Sequence, residues 1–90
     1  MPSLKTNCLA NLQDMTRIKD EEFLKAFGAN LRKVREEKKI SMRALADYSN
    51  VEYSQISRIE KGQINTTIST VKVLADALGI NGKELFDFNY

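Results

Sequence analysis

Leu24, Phe27, Leu31 and Val34 recur at three- and four-residue intervals along residues 20–38. That spacing lays one apolar stripe along a helix. Asp20 stands where an N-cap belongs, and Glu21 and Glu22 occupy the favourable first turn. Lys38 and Lys39 suit the negative end of the helix. Ser41 caps a second, short helix from Met42 to about Ser49, with Leu45 and Ala46 inward. Asn50 follows, a residue that tolerates the left-handed conformation. A third helix over about Glu52–Lys61 turns Ile56 and Ile59 inward, and Gly62 provides its stop. Gln63–Thr70 is rich in Thr and Ile and also fits a strand. Ile68, Val71, Ala75 and Leu78 nevertheless keep helical spacing, with Leu74 beside them. Thr66 or Thr67 caps that fourth helix, and Gly79-Ile80 ends it. Asn81 with Glu84 three residues on resembles a capping box for a last short helix carrying Leu85 and Phe86. Upstream, Leu4, Cys8, Leu9, Leu12, Met15 and Ile18 form a weaker stripe without a firm cap. The expectation is an all-α domain of five helices at 20–88, preceded by an extension at 1–19 that is partly helical at best.

Composition narrows the function. The 90 residues contain no His and no Trp, and Cys8 is the single cysteine. The missing His excludes Ser-His-Asp triads and zinc-His sites, and one thiol excludes an internal disulfide. No cofactor or metal is expected. No apolar run exceeds three residues, so no membrane span or signal-peptide core is expected. The remaining polar candidates for catalysis, such as Asp76 and Glu84, fall on helix surfaces or caps with no phosphate-cradling glycine loop. An enzyme is not expected. The formal net charge of +2 announces no nucleic acid by itself, so any basic surface must be local.

Such a surface arises at residues 42–61. A short helix, a tight turn and a second short helix make a helix-turn-helix unit. Ala46 is the small residue the helix crossing needs. Leu45, Val51, Ile56 and Ile59 wedge the second helix onto the core. Its other face carries Tyr53, Ser54, Ser57, Arg58 and Lys61, with no carboxylate. Docked in a major groove, such a face reads base edges. Arg58 can bond a guanine edge twice, Ser54 and Ser57 can reach a base edge, and Lys61 suits a phosphate. Tyr53 either meets a base or phosphate or covers the domain surface.

The stretch from about Phe27 to Phe86 resembles the helix-turn-helix family of phage repressors and Cro, the XRE-like transcriptional regulators. The matching residues are Leu31-Arg32, Arg35, Ile40-Ser41, Leu45-Ala46, Ile56 to Gly62, Asn65, Leu74-Ala75, Leu78-Gly79 and Leu85-Phe86. The resemblance implies a compact lambda-repressor-like bundle binding double-stranded DNA, as a repressor or autoregulator in the cytoplasm. It implies that Arg35 and Glu60 pair structurally across helices one and three. It also implies phosphate contacts at the start of the first motif helix and at Asn65. At the start of that helix the family usually has Gln, and this chain has Met42. The backbone N–H of Met42 and the side chain of Arg43 are expected to take over. The family's turn Gly is Asn50 here, and Thr66 replaces its Pro. Family members pair as homodimers, and the apolar tail Leu85, Phe86, Phe88 and Tyr90 is the surface expected to do so. With no sensor segment expected after Tyr90, control is expected from concentration, dimerisation or a protein partner. The alternative is an antitoxin or other protein-interaction module on the same fold.

Overall fold

The computed structural model describes residues 18–89. Four α-helices and one 3-10 helix make up its regular structure, and among the described residues there is no strand. Expectations placed on residues 1–17 and on Tyr90 lie outside the described residues.

Helix α1 spans Glu21–Glu37, and its N-cap Asp20 accepts a hydrogen bond from the Phe23 N–H at 3.0 Å. It stops at Lys38 because Lys39 turns left-handed, with φ of 58°. The Ile40 N–H then reaches back to the Arg35 carbonyl at 3.1 Å and satisfies an end that would otherwise be orphaned. Helix α2 spans Met42–Ser49, with Ser41 Oγ accepting from the Ala44 N–H at 3.0 Å. Asn50, at φ of 60°, ends it. Helix α3 covers Tyr53–Glu60, one residue shorter at each end than the sequence pattern suggested, because Glu52 and Lys61 are its caps. Helix α4 spans Ile68–Leu78, capped by Thr67 and stopped by left-handed Gly79. The strand-like stretch is therefore a loop leading into a helix. The last expected helix is a 3-10 segment, Gly82–Phe86, whose Glu84 carboxylate accepts from the Asn81 N–H at 3.0 Å.

One core joins all five elements. Phe27 and Leu31 of α1, Leu45 of α2, Ile56 and Ile59 of α3, Val71, Leu74, Ala75 and Leu78 of α4, and Leu85 are buried together. Burial at about 25 cal/mol per Å² of apolar surface is what holds so small a domain. Leu85 is wholly enclosed, so it cannot serve the self-association surface expected of the tail. Its carbonyl and that of Glu84 accept from Asn30 Nδ2 of α1, at 2.9 and 3.0 Å. That double tie pulls the 3-10 segment onto α1 and turns Leu85 inward. Phe86 packs against Phe27 at 5.0 Å between ring centres, and Phe88 against Phe23 at 5.4 Å. Phe86 still leaves about half its surface open.

Gly28 sets the distance between α1 and α3. A Cβ there would collide with the Ile59 carbonyl and fall 2.6 Å from that of Glu60. The bare backbone lets the end of α3 rest directly on α1, and this close approach fixes where α3 points.

Candidate nucleic-acid interface

Helices α2 and α3 are held at their junction by a buried serine. Ser49 Oγ donates to the Leu45 carbonyl at 2.6 Å and accepts from the Val51 N–H at 3.2 Å. The hydroxyl bridges the last turn of α2 to the first residue after the left-handed Asn50. The turn is thus specified by two polar residues, one for its backbone angle and one for its hydrogen bonds. Sequence reasoning found Asn50 and missed Ser49, because a serine near a helix end carries no mark of burial.

Beyond the turn, Ile56 and Ile59 pin one side of α3 to the core. The opposite side opens outward. Ser54, Arg58 and Lys61 are exposed, and Tyr53 is 40% exposed. Ser57 is set lower. It is half-buried and lines a cleft of about 180 Å³ with Arg32, Arg35, Met42, Glu60 and Lys61. Helical geometry explains the difference: Ser57 falls between Tyr53 and Lys61, on the flank that faces α1 and the start of α2. Ser54 and Arg58 lie further round and lead the outward face.

The N-terminal ends of both motif helices add to this face. Glu52 caps α3 without a side-chain hydrogen bond, so the first N–H groups of α3 have no carboxylate folded over them. Such ends attract anions. Met42 is half-buried with its side chain in the cleft, and Arg43 is exposed beside it. The Arg43 guanidinium lies over the Tyr53 ring, 4.8 Å from its centre.

Glu60, the only acid within α3, is withdrawn from this surface. Arg35 Nε donates to Glu60 Oε2 at 2.6 Å, and Arg35 Nη2 donates to Oε1 at 3.0 Å. The third prong, Nη1, donates to the Ile40 carbonyl at 2.9 Å. The Glu60 hydrogen bond, more than any longer-range charge, raises the Arg35 pKa, against a smaller opposing effect of burial. The fork ties α1, the α1–α2 connection and the end of α3 into one block. It also neutralises a carboxylate that would repel a polyanion.

Asn65 is placed differently from the rest. Its Nδ2 donates to the Ile18 carbonyl at 2.7 Å, and Lys19 Nζ donates to the Gln63 carbonyl at 2.9 Å. Residues 18–19 therefore hold the loop that leaves α3, and Asn65 spends a donor within the protein. Nothing in the sequence pattern signalled a contact across 47 positions. Among the described residues there is no cluster of three metal-ligating side chains, and no helix is long and apolar enough to cross a membrane.

Comparison with known proteins places this geometry. A family model described as helix-turn-helix, HTH_3, matches residues 31–85. The chain is 45% identical over 58 residues to the HTH-type transcriptional repressor RghR of Bacillus subtilis, covering 63% of this chain and 43% of that protein. It is 34% identical over 53 residues to the immunity repressor protein of Bacillus phage phi105, covering 59% of this chain and 37% of that one. It therefore spans less than half the length of these curated relatives. Among solved structures, the restriction-modification controller protein C.AhdI of Aeromonas hydrophila superposes with a TM-score of 0.68 at 37% identity, over 72% of this chain and 97% of that one.

Proposed function

Since the chain belongs to the HTH_3 helix-turn-helix family, we propose that it binds double-stranded DNA sequence-selectively and regulates transcription, as a repressor or autoregulator in the cytoplasm. One observation carries this reading. The exposed face of α3 presents Ser54, Arg58 and Lys61 with no carboxylate among them, because Glu60 is folded away onto Arg35. Arg58 and Ser54 read base edges in the major groove, with Tyr53 and Ser57 on their flank. Lys61 and the backbone N–H of Met42 hold phosphates, while Arg43 beside them lies over the Tyr53 ring. Asn65 is exposed and keeps a second Nδ2 N–H for a phosphate while the first holds the Ile18 carbonyl. The role is one of binding and not of catalysis.

A single eight-residue reading helix spans few base pairs, and the chain's net charge of +2 adds little general affinity. We infer a two-fold homodimer on half-sites one helical turn apart, about 34 Å. Among the apolar residues left open, Ile68, 88% exposed, and Phe86, 47% exposed, lie closest to the tail. They are the surface proposed for the pairing, in place of the buried Leu85.

The experiment is selection of a preferred duplex from a random library, followed by titration at several salt concentrations. The proposal expects a symmetric site bound far more tightly than a scrambled duplex, with affinity falling as salt rises. Sedimentation of the parent and of Ile68→Lys tests the pairing; a parent that stays monomeric at tens of micromolar contradicts it. A folded protein that selects no sequence, and instead co-purifies with a protein partner, contradicts the regulator and supports an interaction module.

A further inference from the structure

We propose that Arg43 is a positioning residue for Tyr53, and that the two side chains act as one reading unit across the starts of α2 and α3. This rests on the DNA-binding reading and states which of its contacts are coupled. Arg43 is the second residue of α2 and Tyr53 the first of α3. The guanidinium carbon sits 4.8 Å from the Tyr53 ring centre. That is inside the roughly 6 Å within which a cation is drawn to an aromatic face.

The choice of partner is informative. Asp47 is exposed one turn further along α2, at the spacing where an arginine commonly finds a carboxylate. Among the described residues Arg43 forms no ion pair with it, and the guanidinium goes to the ring. Met42 lines the cleft beneath, which leaves Arg43 as the side chain at the start of α2 that reaches across. Ser49 locks the two helices together on the inside of the turn, and the stack joins them on the outside.

The consequence concerns what the ring can do. A half-exposed tyrosine at a helix start moves among rotamers, and each adds an entropy cost when one is fixed against a base. A planar cation over one face selects an orientation before DNA arrives. Arginine suits this better than lysine, because its charge is flat and delocalised. Arg43 therefore acts through Tyr53, and its removal erodes discrimination where Tyr53 reads. A plain phosphate contact behaves otherwise: its loss weakens every sequence alike and lowers the salt slope by about one unit.

The test uses the preferred duplex and its single base-pair variants. It compares the parent with Arg43→Gln, Tyr53→Ala, Tyr53→Phe and the double variant Arg43→Gln/Tyr53→Ala. Arg43→Gln is expected to lose about two- to five-fold on the preferred duplex, the scale of an exposed cation–ring contact. The loss should fall at the same base pair as that of Tyr53→Ala, and the double variant should be no weaker than Tyr53→Ala alone. Arg43→Gln should cost the same in the Tyr53→Phe background as in the parent, since phenylalanine keeps the ring. Fully additive losses, or a uniform loss with a reduced salt slope, overturn the proposal. A second measurement needs no DNA. In the free protein the Arg43 δ-methylene protons should be shifted upfield by the ring, and Tyr53→Ala should abolish the shift. Unshifted protons overturn the coupling directly. Shifted protons in a protein that selects no duplex overturn the DNA-binding reading, and the positioning role with it, while the contact stands.

Discussion

Arg35→Ala should cost the fold about 3–5 kcal/mol, the range for removing one member of a buried ion pair. An exposed pair is worth only roughly 0–1 kcal/mol, so burial decides which figure applies. The Arg35 and Glu60 side chains are 9% and 6% exposed, and the pair is bidentate at 2.6 and 3.0 Å. Truncation strands the Glu60 carboxylate at the end of α3 and also frees the Ile40 carbonyl. Against a typical total of about 0.05–0.15 kcal/mol per residue, the loss is a large part of the stability of a domain this size. At about 4–8 °C per kcal/mol for small domains, the melting midpoint should fall by roughly 12–40 °C. Thermal and urea unfolding followed by circular dichroism measure it, with the urea slope checking that the exposed area is unchanged. The double variant Arg35→Met/Glu60→Leu removes both charges and should recover most of the loss, because apolar replacements of buried pairs are commonly neutral or stabilising. The reasoning fails if Arg35→Ala melts like the parent and loses only DNA affinity. It also fails if the double variant is as unstable as the single.

Gly28→Ala should destabilise by about 1–3 kcal/mol or more, since the new methyl meets two backbone carbonyls that cannot rotate away; a melt indistinguishable from the parent would show that α3 can lift off α1 freely. Asn30→Leu should cost about 1–3 kcal/mol by leaving the Glu84 and Leu85 carbonyls without their donor, and faster hydrogen exchange confined to residues 82–88 would locate the damage. If exchange there is unchanged, the apolar contacts of Leu85, Phe86 and Phe88 hold the 3-10 segment without Asn30.

The helix boundaries were legible because their signals are local. Asp20, Ser41 and Thr67 each bond the backbone three residues on, and Asn50, Gly62 and Gly79 adopt the left-handed angles their chemistry allows. Lys39 takes the same angle with no residue-type signal, because Ile40 must turn inward onto the core. What escaped the sequence depends on distant partners. Leu85 looked like spare apolar surface until Asn30, 55 positions earlier, tied its carbonyl down. Ser57 shares a helix face with Arg58 on paper, yet α1 and Met42 wall it into a cleft. Asn65 was expected at a phosphate, and nothing in the pattern showed that one of its amide N–H groups also holds the Ile18 carbonyl. Gly28 carried only a weak signal, as a glycine tolerated inside an otherwise good helix; its close approach to the Ile59 and Glu60 carbonyls needs the fold to be seen.

The central claim is that α3 reads sequence through Arg58 and grips the backbone through Lys61. Titrating Arg58→Ala and Lys61→Ala against the preferred and a scrambled duplex, over a range of salt, tests it most directly. Arg58→Ala should lose about 1–3 kcal/mol on the preferred duplex, little on the scrambled one, and relax the preference at one base pair. Lys61→Ala should weaken both duplexes alike and lower the salt slope by about one unit. Equal loss on both duplexes for Arg58→Ala would make it a phosphate contact, and no change for either variant would mean that α3 does not face DNA.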